Sequence, residues 1–104
     1  MSRSTLGKYI LDGHTVVECH DLIEWAKWFE ENTRKVDKTM VDDVMISTVF
    51  LGLDHSWTNN GPPLLFETMI FGGEHDEYQE RYATWDEAVA GHEVAVNLVR
   101  SDEQ

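Results

Sequence analysis

Val44–Gly73, VMISTVFLGLDHSWTNNGPPLLFETMIFGG, is the stretch whose reading decides the fold. If Val44–Leu51 is extended, Val44, Ile46, Thr48 and Phe50 point one way and Met45, Ser47, Val49 and Leu51 the other. Leu64–Phe71 divides the same way, with Leu64, Phe66, Thr68 and Ile70 on one face and Leu65, Glu67, Met69 and Phe71 on the other. β-branched and aromatic residues dominate both runs, which favours strands over a buried helix. Glu67 is the one carboxylate within them. It is expected on the wet face of a half-exposed antiparallel sheet rather than as a catalytic acid.

The connection Gly52–Pro63 is too long for a tight hairpin, and Pro62–Pro63 ends it stiffly. A long loop on a rigid sheet is a place for recognition. Asp54, His55, Ser56, Trp57, Asn59 and Asn60 offer an aromatic anchor with polar contacts around it. The competing reading is a folded-back loop whose Trp57 caps the sheet edge.

Towards the N-terminus, KYILD–G–HTVVEC reads as a short hairpin turning at Asp12–Gly13, with His14 starting its second strand. Asp21-x-x-Glu24 opens a helix whose Leu22, Trp25, Ala26 and Phe29 form a core-facing stripe. Bases at Arg34 and Lys35 suit its C-terminal end. Val36–Asp43 reads as a polar connection. Beyond Gly72–Gly73, an acidic turn leads into Glu77–Ala83, read as an edge strand with Tyr78, Glu80 and Tyr82 on one face. Thr84-x-x-Glu87 opens a second helix that aligns Trp85, Ala88, Val89, His92, Val96 and Val99. His92 on that stripe reads as a satisfied core or boundary histidine. The expectation is one α+β domain over residues 1–104, with 1–7 and 101–104 frayed. A hairpin and a three-stranded antiparallel meander are covered by two helices, in the order ββαβββα.

Charge is the strongest compositional signal. Eight Lys and Arg stand against 20 Asp and Glu, a formal net of −12. Residues 1–40 hold six bases and seven acids; residues 41–104 hold two bases and thirteen acids, a local net of −11. Direct nucleic-acid binding is disfavoured, because phosphate contact needs clustered bases. A basic protein surface is the natural complement. A lone cysteine, Cys19, fits a reducing compartment, and no run has the length of a membrane span. The N-terminus lacks a signal-peptide core, so a cytoplasmic location in a host cell is expected.

Motifs of catalysis are missing from the sequence. The five histidines (His14, His20, His55, His75 and His92) show no metal-ligand spacing, and neither a phosphate-cradling glycine loop nor a nucleophile elbow is present. No enzymatic activity, cofactor or metal is expected. A small-ligand or metal site assembled by the fold from His55, Glu67 and His92, with Asp54 nearby, stays as a lesser alternative.

FLGLDH (50–55), GPPLLFETMIFGG (61–73) and ERYATWDEAVAGHE (80–93) together resemble a family of small proteins of bacteriophages and bacterial genomes. The resemblance spans about Lys8 to Val99. It implies a phage or prophage setting and brings no catalytic residues with it. In that setting the expectation is an acidic binding protein that inhibits a host defence or nucleic-acid-processing complex, including anti-CRISPR action, by occluding its basic surface. Asp54, His55, Trp57, Glu74, Asp76, Glu77, Glu80, Asp86 and Glu87 would form the contact. The alternative is an accessory protein that dimerises through the edge strand Glu77–Ala83.

Overall fold

The computed structural model describes residues 7–54, 56 and 61–101. Its elements run β1 (Tyr9–Asp12), β2 (Thr15–Glu18), α1 (Leu22–Glu31), β3 (Lys35–Val41), β4 (Val44–Phe50), β5 (Phe66–Phe71), β6 (Gln79–Tyr82) and α2 (Trp85–Ser101). β1 and β2 form a separate two-stranded sheet, and β3-β4-β5-β6 form an antiparallel meander in chain order. The class is α+β, as expected, with one strand more than the sequence reading: the order is ββαββββα.

The added strand is β3, where a polar connection was expected. Its alternation is masked by charge. Asp37, Thr39 and Val41 share one face, while Lys38 and Met40 lie on the other, in register with Thr48, Ile46, Val44, Ser47 and Met45 respectively. A two-residue turn, Asp42–Asp43, joins it to β4. Asp42 takes the left-handed conformation at φ 52°, which a short polar side chain tolerates better than most.

One face of the meander, the inner face, carries the core. Ile46 pairs with Ile70, Thr48 with Thr68 and Phe50 with Phe66, and all six are buried. α2 lies over this face and sends in Ala88, His92, Ala95, Val96 and Val99. At the Val41–Val44 end, Ile46, Ile70, Ala95, Val96 and Val99 pack together. At the other end, Phe50, Leu65, Phe66 and Ala88 pack against Trp28, Phe29 and Trp85 and against Tyr9, Leu11 and Val16 of the hairpin.

α1 turns in half of the expected stripe, Trp25 and Phe29, joined by Trp28. Leu22 is 62% exposed, Ile23 is 80% exposed and Ala26 is exposed, while Trp25, Trp28 and Phe29 turn inward. The aromatics win because each has a specific partner. Trp25 Nε1 donates to the Tyr9 and Gly52 carbonyls at 3.1 and 3.3 Å. Phe29 lies so close to Gly52, buried with φ +79°, that a Cβ there would sit 2.0 Å from the ring. No base lies in the last turn of α1; Arg34 instead stacks its guanidinium over Phe29 at 4.7 Å.

Both helix starts follow the sequence signals. Asp21 Oδ1 accepts from the Ile23 and Glu24 amides at 2.9 and 3.1 Å. The Glu87 amide donates to Thr84 Oγ1, and Glu87 Oε1 accepts from the Thr84 amide, completing a reciprocal cap. His14 sits in the hairpin turn rather than in β2. It stacks on Trp85 with centroids 3.8 Å apart, tying the hairpin to the start of α2. Glu77 is left-handed at φ 80°, so β6 begins at Gln79, later than the sequence suggests.

Candidate protein-binding face

Two arrangements stand out: a buried polar row under α2 and an outer face that no described helix covers and that ends in a carboxylate fence. The polar row has the vocabulary of a catalytic site. His92 is buried, with Nδ1 2.7 Å from Thr48 Oγ1 and Nε2 2.9 Å from Thr39 Oγ1. Thr48 Oγ1 also bonds Thr68 Oγ1, and Asp37 Oδ2 lies 3.7 Å from His92 Nε2. The nearby carboxylate favours the proton on Nε2, leaving Nδ1 to accept from Thr48. Every polar atom of the imidazole is engaged and the ring is sealed from solvent. No substrate could reach it, so this is the satisfied core histidine expected from the sequence.

Tyr82 extends the row. Its hydroxyl is sealed without a hydrogen bond of normal geometry, with the Thr68 hydroxyl nearby. Burial pushes the Tyr82 hydroxyl above its usual range. Thr68 partly offsets that, while Tyr78 and Glu80 add to it. A shallow apolar cleft beside Tyr82 is lined by Leu64, Ala90, Gly91 and Val94. Its charged neighbours are already occupied: Arg81 holds Glu67, and Glu87 caps α2.

Glu67 lies on the outer face, as the wet-face reading expects. Its side chain is 12% exposed, and Oε2 accepts from Arg81 Nε at 3.0 Å and Gln79 Nε2 at 2.6 Å. Glu67 and His92 are therefore on opposite sides of the sheet, which overturns their convergence into a ligand or metal site. Alternation within β5 is the reason, because Thr68 takes the face under α2 and Glu67 the other. Among the described residues, no group of three His, Cys, Asp or Glu side chains is placed to hold a metal.

Of the proposed loop contacts, His55 and Trp57 lie outside the described residues, as do Asn59 and Asn60. Asp54 turns inward. Its Oδ1 accepts from the Ser56 and Leu64 amides at 2.9 and 3.0 Å, pinning the two ends of the loop.

The acidic set does not form one patch. Asp86 and Glu87 start α2 beside the Phe66–Tyr82 end of the sheet. Glu74, Asp76 and Glu77 sit in the β5–β6 turn at the opposite end, and Glu80 lies between, in register with Thr68. α2 spans about 25 Å between the two ends. The sequence reading overlooked two carboxylates that join the turn group. Asp42 and Asp43 are exposed in the β3–β4 turn, and the Asp43 carbonyl lies 3.3 Å from where a Cβ on Gly72 would be. Asp42, Asp43, Glu74, Asp76 and Glu77 thus fence one end of the sheet, and neither turn carries a Lys or Arg. Asp76 Oδ1 also accepts from the Gly72 amide at 2.7 Å, which holds the β5–β6 turn in shape.

The outer face leads up to this fence in three register rows. The row next to the fence is Met40, Met45 and Phe71. The middle row is Lys38, Ser47, Met69 and Gln79, and the third is Lys35, Val49, Glu67 and Arg81. Met40 is 54% and Phe71 42% exposed. The signal for this face was present in the alternation of β4 and β5, but its third strand was hidden while Val36–Asp43 read as a connection.

No helix among the described residues is long and apolar enough to cross a membrane. Compared with known proteins, the chain matches no family model, no curated protein and no solved structure.

Proposed function

We propose that this chain is a small acidic binding protein that acts by occlusion, covering a basic, nucleic-acid-binding surface on a partner. In a phage setting the partner would be a host defence or nucleic-acid-processing complex. The observation that carries this reading is the fence of Asp42, Asp43, Glu74, Asp76 and Glu77, five exposed carboxylates drawn from two adjoining turns. Like charges gathered at one end of a sheet repel one another and cost stability unless a partner neutralises them. The same field repels phosphate and attracts the Lys and Arg that normally bind it. The His92 row is closed to solvent and offers no competing chemistry.

The test is affinity capture from host lysate at low and high salt, with wild type and with a triple charge reversal, Asp42→Lys, Asp43→Lys and Glu74→Lys. None of these side chains is buried, and the variant's urea midpoint checks that Lys is accepted at the left-handed Asp42. The reading expects a nucleic-acid-handling protein that is released by salt, displaced by added duplex DNA or RNA, and lost by the variant. A captured protein that is indifferent to the charge reversal overturns it.

A further inference from the structure

We infer that the outer face of the meander is a docking surface for a basic amphipathic helix of a partner protein. This rests on the occlusion reading and names the shape of the segment that the acidic end recruits. The sheet has two faces, and only the inner one is covered among the described residues. α2 packs on the inner face, while α1 and the hairpin meet the aromatic cluster around Phe50 on that same side. The outer face carries exposed Met40 and Phe71 with half-buried Met45 between them, and half-buried Met69 and Val49 on the next two rows, with Ser47 among them. These apolar residues fall on three neighbouring strands, which is a contiguous patch rather than the scatter of single apolar side chains that any surface shows.

The dimensions fit a helix. Three strands span roughly 10 Å, the diameter of one α-helix, and the seven residues of β4 run a little over 20 Å, the length of about 14 helical residues. The inner face of the same strands already accommodates a helix, α2. Three of the five apolar side chains are methionines, which repack around varied apolar partners.

Charge selects which helix. The most exposed apolar row, Met40–Met45–Phe71, abuts the fence of Asp42, Asp43, Glu74, Asp76 and Glu77. A helix with an apolar stripe and with Lys or Arg at the end that meets the fence satisfies both features at once, while Lys38 and Lys35, on the same face further from the fence, disfavour bases along its far end. An acidic or neutral helix meets only the apolar one. A second copy laid head to head would bring its own fence against this one, so that arrangement is opposed by the same carboxylates.

The probe is a 14-residue helical peptide of Leu and Lys with one apolar face. The control carries the same charge with Ala in place of Leu. Binding is followed by the methyl resonances of Met40, Met45 and Met69 in the full chain. The proposal expects the Leu/Lys peptide to bind at least tenfold tighter than Ala/Lys and to shift all three methyls. The double variant Met40→Ser, Phe71→Ser should lose that tenfold preference, with its fold checked by thermal unfolding. Equal affinity for the two peptides, or a preference that survives in the double variant, overturns it. So do methyl shifts that follow protein concentration without peptide, because they report a second copy on the face. A further variant, Asp42→Asn, Asp43→Asn, Glu74→Gln, separates the two readings. If it keeps wild-type affinity and salt dependence, the acidic fence has no part in binding and the occlusion reading fails, while the apolar preference is judged on its own.

Discussion

Gly91 of α2 rests directly on the Tyr82 ring of β6. A Cβ built on Gly91 would lie 2.1 Å from the Tyr82 hydroxyl oxygen and 2.2 Å from its Cζ. The contact explains a glycine in mid-helix, where it forfeits about 1 kcal/mol relative to alanine. It lets the helix come down far enough for Ala88, His92 and Ala95 to reach the sheet.

Gly91→Ala should therefore destabilise the protein despite its better helix propensity. Overpacking costs about 1–3 kcal/mol against a propensity gain of about 1 kcal/mol, so a net loss of up to about 2 kcal/mol is expected in urea unfolding. In a Tyr82→Leu background the same change should become neutral or favourable. A loss of equal size in both backgrounds would show that the ring contact is not the cause.

His92→Leu should cost about 2 kcal/mol, because it strands the Thr48 hydroxyl in the interior and takes the partner from the half-buried Thr39. Adding Thr48→Val and Thr68→Val should recover part of that loss, since it removes the two fully buried hydroxyls that the histidine leaves behind. Additive costs across the triple variant would mean the row does not act as a unit.

Alkaline pH should act through β6 and its approach. Burial raises the Tyr78 and Tyr82 hydroxyls above 10.0, with Glu80 adding to both. The folded state thus holds these protons more tightly than the unfolded chain. Their contribution is fully present below the unfolded value and is lost as pH rises through the folded ones. The urea midpoint should fall above about pH 10, less steeply in Tyr82→Phe, and parallel curves for the two proteins would exclude Tyr82. Below that range Tyr82→Phe should be neutral or mildly stabilising, because it deletes a buried hydroxyl without a partner.

Gly52→Ala combines two penalties. The residue is left-handed at φ +79°, and its missing side chain is the space filled by Phe29. A loss of about 2–4 kcal/mol is expected in thermal or urea unfolding, with Phe29→Leu relieving the steric part alone.

Much of the fold was legible because its signals are local. The Thr84/Glu87 cap, the alternation of Val44–Phe50 and Phe66–Phe71 and the α2 stripe each lie within a few residues. β3 was hidden because an edge strand keeps its charges: Lys35, Asp37 and Lys38 look like a connection until they are paired with Val49, Thr48 and Ser47. The α1 stripe misled because periodicity gives Leu22 and Trp25 equal weight, and only the position of the Tyr9 and Gly52 carbonyls decides between them. The candidate face was the least legible part. Asp42 and Asp43 stand some thirty residues from Glu74 in sequence, and pairing across β4 and β5 is what makes them neighbours.

The placement of α2 also bears on the order in which the chain can finish folding. Three consecutive hairpin pairings build the meander from near neighbours, whereas its inner face is sealed by the last element described. Until Trp85–Ser101 is available, Ile46 and Ile70 have no lid, Phe50 and Phe66 are covered only in part, and His14 has no ring to stack on. A nascent chain of this design stays sticky until α2 clears the ribosome, so cutting it before Trp85 would yield an aggregating sheet rather than a smaller working protein.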